Sequence, residues 1–474
     1  MKVLKSKNLI VYLLSFFASA IGIGLNFFLA RILEAELFGR IQYLVALATT
    51  CSQFLIFGLN TFLIREAKND NQKGQVANKC FSLYLGIVLF FLPILFFVLN
   101  KFVPNTSGNL ILTICVIVTA ILMGLNSLVS AYFQGNGKYH FSIVFENLLP
   151  KLVLLITAIV FMVLGKIFFF QENYLIFYIV CYSILAIPLT FILFRKINFH
   201  FSRKEIRTIC FFFGVTVTYS LGNNLTKVLQ GGLYQNDIAL GIISVSISII
   251  SLVTVITSVL DNLIKPIFAK KKRENDIDGL FDTYRFDTRV NSYVAIPLYL
   301  FFMINPSHFL SLFGNSYLAY PWILTIIAGA NAINAITGPN GTLLAMTGKE
   351  KWELFNGLLF FATYFTCIFV FSFDKIYGLC FALLASQFFV NIAKYVEVWR
   401  IYQINPLNKK TIFSLLIILA FNFVAVYALR YLYLGTWAWL GVGVVVGLIL
   451  LALNFFVLSL YRKTDFKNLL NLKL

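Results

Sequence analysis

Apolar runs near 20 residues recur from one end of the chain to the other, separated by short polar breaks. Each run is long enough, at 1.5 Å per residue, to cross a hydrocarbon core of ~30 Å. They predict about fourteen spans: 9–31, 38–64, 80–100, 110–133, 141–165, 173–194, 209–231, 238–262, 290–312, 319–345, 352–372, 376–398, 411–431 and 436–460. No interval between them is large enough for a soluble domain. The expected class is an all-α polytopic membrane protein. Lys2, Lys5 and Lys7 precede the first run, and Ala18-Ser19-Ala20 imitates a cleavage site. The run stays apolar to Ala30, too long for the core of a signal peptide, so it reads as an uncleaved span.

Several spans break their own apolar pattern along one helical face. In span seven Thr216, Ser220, Asn223, Lys227 and Gln230 step by four, three, four and three. Span eight repeats the device with Ser244, Ser248, Ser251, Thr254, Ser258 and Asp261. Span one carries Ser15, Ser19, Gly22 and Asn26, and span two Gln42, Thr49, Gln53 and Asn60. Span ten has Asn331, Asn334, Gly338 and Gly341, with a kink expected at Pro339. Small and hydroxylated residues let helices approach closely, so packing alone accounts for any one stripe. Five stripes together point instead to a central water-filled cavity walled by polar faces.

Composition agrees with the spans: 60% of the 474 residues are hydrophobic and 12% charged, a surface that water would not keep apart. The net charge of +19 suggests nucleic acid only until the charges are located. With the N-terminus placed in the cytoplasm, thirty of the 38 lysines and arginines fall in cytoplasmic segments and six outside, with two inside spans. That bias sets both termini of a multi-pass protein in the cytoplasm. The seven cysteines stand alone in or beside apolar runs, with no metal or disulfide spacing.

A basic segment, 195–208, follows span six and reads as a linker between a six-helix bundle, 1–194, and a second, 209–398, with helices 13 and 14 at 411–460. Weak internal similarity supports the division. GNGKYHFSIVFENLL after span four resembles TGKEKWELFNGLL after span ten, placing Gly137-Lys138 and Gly348-Lys349 211 residues apart. Gly39 and Gly241, and Asn60 and Asn262, are 202 apart. An even number of spans per repeat makes the repeat parallel, its axis along the membrane normal.

Charges inside the bilayer need a cavity or a partner. Lys151 lies ~15 Å into span five, near the midplane, with Asn147 one turn earlier on its face. Glu146 is off that face and nearer the cytoplasm. Lys227 lies ~27 Å along span seven, where reaching out to the interface is the simpler reading. Arg31 ends span one, where an anchor at the boundary is the simpler reading. The excess within the spans is cationic, and Lys, Asn, Ser and Thr together suit an anionic, hydroxyl-rich ligand: phosphate for the ammonium, sugar for the amides and hydroxyls. No phosphate-binding G-x-x-x-x-G-K-[ST] and no G-x-S-x-G occurs, and His140, His200 and His308 are scattered. An enzyme reading has little support, and no metal set is visible.

FFLARILEAELFGRIQYLVALATTCSQFLIFGLNTFLIREA resembles the first two spans of the polysaccharide (O-antigen type) flippases of the multidrug, oligosaccharidyl-lipid and polysaccharide exporter superfamily. The family's pattern is met by Ala30-Arg31, by Glu36 to Gly39, by Gly58 and by Arg65, and AYFQGNGKYHFS resembles the loop after span four. The chain departs from the family where an Asp precedes the basic residue near the end of span seven: here stand Thr226 and Lys227, and Ile243 and Ser246 replace an aromatic and an Ala in span eight. The resemblance implies a flippase that moves an undecaprenyl-diphosphate-linked oligosaccharide across the bacterial inner membrane for envelope polysaccharide or lipopolysaccharide synthesis, by alternating access. It implies the membrane and a lipid-linked oligosaccharide as partners, with polymerase and chain-length components beside them and no nucleic acid. No cofactor is implied beyond a coupling proton or sodium ion. Lys151, Lys227 and Arg31 are then the expected diphosphate contacts. Asn147, Asn223, Asn224, Ser220, Ser248, Ser251, Asn331 and Asn334 are expected to line the cavity. The alternatives are a drug/cation antiporter of the same superfamily, a membrane glycosyl-polymerase or ligase, and a peptidoglycan-precursor flippase. The first calls for deep carboxylates, the second for a large outward loop, and substrate dependence separates the third.

Overall fold

The computed structural model describes residues 2–66, 73–103, 108–165, 173–194, 197–371, 374–403, 409–432 and 435–461. Within them the regular structure is helical. The first helices are α1 (Lys2–Ile32), α2 (Ala35–Ile56), α3 (Leu59–Glu66), α4 (Lys73–Phe102), α5 (Leu110–Gly135), α6 (Tyr139–Ile143), α7 (Leu149–Val163), α8 (Tyr174–Leu193) and α9 (Arg203–Leu229). They continue as α10 (Asp237–Arg273), α11 (Ile277–Ile304), α12 (Pro306–Leu310), α13 (Trp322–Thr337), α14 (Asn340–Met346), α15 (Glu350–Val370), α16 (Gly378–Tyr402), α17 (Lys409–Ala428) and α18 (Thr436–Tyr461).

Among the described residues ten helices are long and apolar enough to cross a membrane, or up to twelve when each of two bent pairs counts as one span. The difference from fourteen lies in α9 and α11. At 27 and 28 residues both have spanning length, but polar residues spread through them keep their composition below that of an isolated span. The bent pairs are α2 with α3 (51°) and α13 with α14 (49°). The second bend is the kink expected at Pro339: Gly338 takes φ +82° and the chain turns. The first, at Phe57-Gly58, has two successive residues at positive φ (50° and 73°), a conformation Gly58 makes accessible.

The chain divides into two compact units, Met1–Ser244 and Val245–Leu474, the division falling within α10. In the first unit α5 packs against α8, α2 and α3. Its core gathers Tyr43, Leu47, Phe62, Tyr84, Val116 and Leu128. Tyr84 donates from its hydroxyl to the Ile121 carbonyl at 2.7 Å, and a Cβ at Gly124 would stand 2.5 Å from that hydroxyl, so a glycine is what lets the ring in. Large apolar side chains such as Leu89, Phe90 and Phe191 face outward, as a lipid-facing surface requires.

α2 and α10 touch backbone to backbone. A Cβ on Gly39 would lie 1.9 Å from the Asp237 carbonyl oxygen, and one on Gly241 would lie 2.1 Å from that of Ala35. Ala35 and Asp237 are 202 residues apart, as are Gly39 and Gly241, so the contact maps onto itself under that offset. Arg40 Nε pairs with Asp237 Oδ2 beside it at 3.5 Å.

At the start of α9 Ser202 and Glu205 form a reciprocal capping box, and Lys79 of α4 reaches Glu205 Oε1 at 3.2 Å. Partial burial opposes the charge, but the hydrogen bonds from Ser202 and the Lys79 ammonium together hold the Glu205 carboxyl below its ordinary range.

In the second unit α11 packs against α13, α17 and α18. Polar side chains fasten the last two helices there: Tyr293 donates to Ser414 Oγ (3.1 Å), Asn454 Nδ2 to the Tyr293 carbonyl (3.1 Å), and Asn422 Nδ2 to Asn454 Oδ1 (3.1 Å). All seven cysteines are free thiols.

Two loops that resemble each other in sequence share their local geometry. Gly137 and Gly348 both take positive φ (74° and 80°), and the amides of Lys138 and Lys349 both reach back five residues, to Phe133 and Leu344, at 2.9 Å. Each is a Schellman ending with glycine where the chain turns left-handed. They differ just beyond. Val144–Leu148 is a π turn, whereas α15 runs as a plain α-helix. A π turn absorbs one extra residue, which matches the one-residue difference between the Gly137-to-Leu148 and Gly348-to-Leu358 segments.

Candidate functional site

The polar residues of the first unit assemble along α1. Asn26 Oδ1 accepts from Gln42 Nε2 of α2 at 3.3 Å, and Gln42 Oε1 accepts from Lys227 Nζ of α9 at 3.3 Å. Lys227 thus turns inward to an amide instead of reaching out to the interface. Gln42 is buried, so its amide is spent on this bridge: one end serves the ammonium, the other α1. Close packing holds the bridge in place, because a Cβ on Gly231 would meet the Tyr43 ring at 2.4 Å.

One turn back along α1 from Asn26 is Gly22, and the Lys151 side chain lies across it. A Cβ on Gly22 would stand 3.0 Å from Lys151 Cδ, 3.1 Å from Nζ and 3.3 Å from Cε. Gly22 is therefore the groove in which the Lys151 ammonium rests. The two lysines reach α1 one turn apart, at Gly22 and, through Gln42, at Asn26. Neither forms an ion pair within 4 Å with any described residue.

Glu146 joins this site, which the sequence reading placed off the Lys151 face. That reading assumed 3.6 residues per turn. Glu146 and Lys151 are five apart, the hydrogen-bonding step of a π-helix, and the segment between them includes the π turn. The carboxylate is held elsewhere: it accepts from Ser130 Oγ and from Ser127. Ser130 is 2.7 Å from Ser142, and Ser127 Oγ takes a hydrogen bond from Asn60 Nδ2 at 3.4 Å. So α3, α5, α6 and the π turn build a hydroxyl-lined seat for one carboxylate beside a lysine.

The remaining expected residues fall as follows. Asn147 is half-buried in the π turn next to Glu146, and Asn224 is half-buried on α9. Arg31 stands exposed in the last turn of α1, five residues beyond Asn26. The side chains of Ser220 and Asn223 lie outside the described residues. Four expected residues belong to the second unit. Ser251 donates to the Ser248 carbonyl at 2.6 Å, and Asn331 Nδ2 to the Ile327 carbonyl at 2.9 Å, so both groups bond to their own helix. Asn334 is exposed, its carbonyl accepting from Thr337. Gln42, Asn26 and Glu146 were visible in the sequence as members of stripes or as a rare acid in a span. Their mutual arrangement was not.

Comparisons with known proteins bear on what such an arrangement serves. The "Lipid II flippase MurJ, inward closed conformation" has the same fold: TM-score 0.66, 13% identity, covering 96% of this chain and all of that one. An inward-facing multidrug resistance MATE family transporter of the MOP superfamily follows, with TM-score 0.57 and 13% identity over 83% of this chain and 94% of that one. "Teichuronic acid biosynthesis protein TuaB" of Bacillus subtilis (strain 168) is 28% identical over 154 residues, 30% of this chain and 31% of TuaB, so the chain spans under a third of that relative's length. The family described as "Polysaccharide biosynthesis protein" matches residues 28–320, which include Gln42, Glu146, Lys151 and Lys227 but not Gly22 or Asn26. The chain belongs to that polysaccharide biosynthesis protein family.

Proposed function

We propose that this protein is a flippase, not an enzyme, that moves an undecaprenyl-diphosphate-linked oligosaccharide from the cytoplasmic to the outer leaflet of the bacterial inner membrane. One observation carries the reading. Two lysines deep in the first unit, Lys151 and Lys227, are held by a glycine groove and an amide bridge and form no ion pair with a described carboxylate. An uncompensated ammonium in a low-dielectric interior is costly unless an anion is expected there. Lys supplies the point charge a phosphate takes, and Asn147 offers an amide for sugar hydroxyls. Arg31 is the next candidate at the outer end of α1.

The comparisons support the same direction. The family is one of polysaccharide biosynthesis, TuaB takes part in teichuronic acid biosynthesis, and the fold is shared with a lipid II flippase. The proposal includes alternating access, both termini in the cytoplasm, and a polysaccharide polymerase downstream. A drug/cation antiporter calls for deep carboxylates to hold a cation, and the excess at this site is cationic, Lys151 and Lys227 against Glu146.

The test is a deletion strain analysed for envelope polysaccharide and lipid-linked intermediates, complemented with wild type and with Lys151→Met. Loss of polysaccharide with lipid-linked repeat units accumulating on the cytoplasmic side, restored by wild type only, is the expected result. Unchanged polysaccharide with altered sensitivity to cationic compounds overturns the reading in favour of drug export.

A further inference from the structure

We propose that Glu146 is the release residue of the transport cycle: a counter-ion parked on serines that takes the place of the substrate's diphosphate on Lys151. The inference rests on the reading of Lys151 as a diphosphate contact. The physical problem it answers is release. A lysine that holds a diphosphate in a poorly solvated interior forms a strong pair, because screening there is weak. A transporter needs that pair to break on the far side. A second anion within reach of the same ammonium lowers the cost of breaking it, since the lysine passes from one partner to another without standing alone.

The structure supplies such an anion and a place to keep it. Glu146 lies five residues before Lys151, in the π turn that leads into α7, while its carboxylate accepts from Ser130 and Ser127 and makes no ion pair with Lys151 within 4 Å. The charged and titratable groups around it are few. α7 contributes Lys151 and α8 contributes Tyr182, which feels the Glu146 charge. α5 and α6 present Ser127, Ser130 and Ser142, and α1 carries no charge between Leu14 and Ala30. Glu146 and Lys151 belong to one continuous helical segment, so the exchange is a side-chain motion within it, and π turns are frequent at functional sites. With substrate bound, Glu146 sits on the serines. As the diphosphate leaves, Glu146 pairs with Lys151 and prevents rebinding.

A merely structural Glu146 and a competing Glu146 make opposite predictions for affinity. Full-length protein in detergent is titrated with undecaprenyl diphosphate, and both Kd and the dissociation rate are measured. Glu146→Gln keeps the shape and an acceptor for Ser130 but removes the competing charge. The expected result is binding at least ~5-fold tighter, the lower end for coupled sites, with slower dissociation. Transport in vesicles slows at the same time. Glu146→Ala, with a different volume, serves as the second variant and is expected to tighten binding too. In a Lys151→Met background the Glu146→Gln change is expected to have no effect on affinity. Unchanged or weaker binding in both Glu146 variants, while Lys151→Met still weakens binding, overturns the inference and leaves the flippase reading standing. Binding that is indifferent to Lys151 overturns the reading of Lys151 itself.

Discussion

Gly39→Ala is the sharpest structural perturbation available in the first unit. The added methyl would lie 1.9 Å from the Asp237 carbonyl oxygen and 2.8 Å from the Gly241 amide nitrogen. Real Cβ atoms essentially never approach within 3.0 Å, so α2 and α10 must part by about 1 Å at this level. The obstruction is backbone on both sides, and no side chain can swing away. A gap of that size forfeits a quarter to a half of the dispersion at each contact it opens. Overpacking of this kind costs about 1–3 kcal/mol. For a unit of this size each kcal/mol lowers the unfolding midpoint by roughly 2–4 °C, giving a fall of roughly 2–12 °C. Gly241→Ala meets the Ala35 carbonyl at 2.1 Å and should cost a similar amount. The two must couple. Once the helices have parted for one methyl, the second finds room, so the double variant should fall well short of the sum. The assay is thermal unfolding of purified protein in detergent, followed by tryptophan fluorescence. A Gly39→Ala midpoint equal to that of wild type, or strictly additive single and double variants, refutes the reciprocal contact.

Three further outcomes follow from the geometry. Gly22→Ala should leave transport nearly intact, because Lys151 is flexible and needs to yield only a few tenths of an ångström; Gly22→Leu should fill its groove and reduce transport at least ~10-fold at normal membrane insertion, as scored by complementation of a deletion strain. Glu205 has a depressed carboxyl pKa, so the stability it contributes is present above its unfolded value near ~4.3 and is lost as pH falls through the lower folded value. Ser202→Ala removes one of its hydrogen bonds together with the helix cap; the unfolding midpoint at neutral pH should drop by the equivalent of about 1 kcal/mol, with the acid transition moved to higher pH. Gly338→Ala asks a residue with a side chain to adopt φ +82° and brings its Cβ to 2.1 Å from Thr288 Oγ1, so expression of folded protein in the membrane should collapse.

The sequence makes some of this legible and hides the rest for identifiable reasons. Apolar runs announce membrane helices because the bilayer leaves backbone groups no other partner. Pro339 beside Gly338 announces the bend between α13 and α14. The equivalent break at Phe57-Gly58 carries no proline, and its glycine sits inside an apolar run that gives no warning. The stripes containing Asn26, Gln42 and Lys227 were readable by period, but which residue bonds which depends on helix neighbours that period does not fix. The reading of Glu146 against Lys151 assumed a 3.6-residue turn where the chain makes a π turn. The one-residue difference between the Gly137-to-Leu148 and Gly348-to-Leu358 segments was the available signal. Spans seven and nine were read from apolar runs at 209–231 and 290–312; polar residues within α9 and α11 keep both below the composition of an isolated span.

The most direct test of the central claim is trans-bilayer movement of an undecaprenyl-diphosphate-linked oligosaccharide in vesicles containing the purified protein, comparing wild type with Lys151→Met and Lys227→Met. The account predicts movement with wild type, near-background movement with Lys151→Met, and a clear loss with Lys227→Met, all at equal reconstitution. Wild-type rates in the Lys151→Met protein would contradict it.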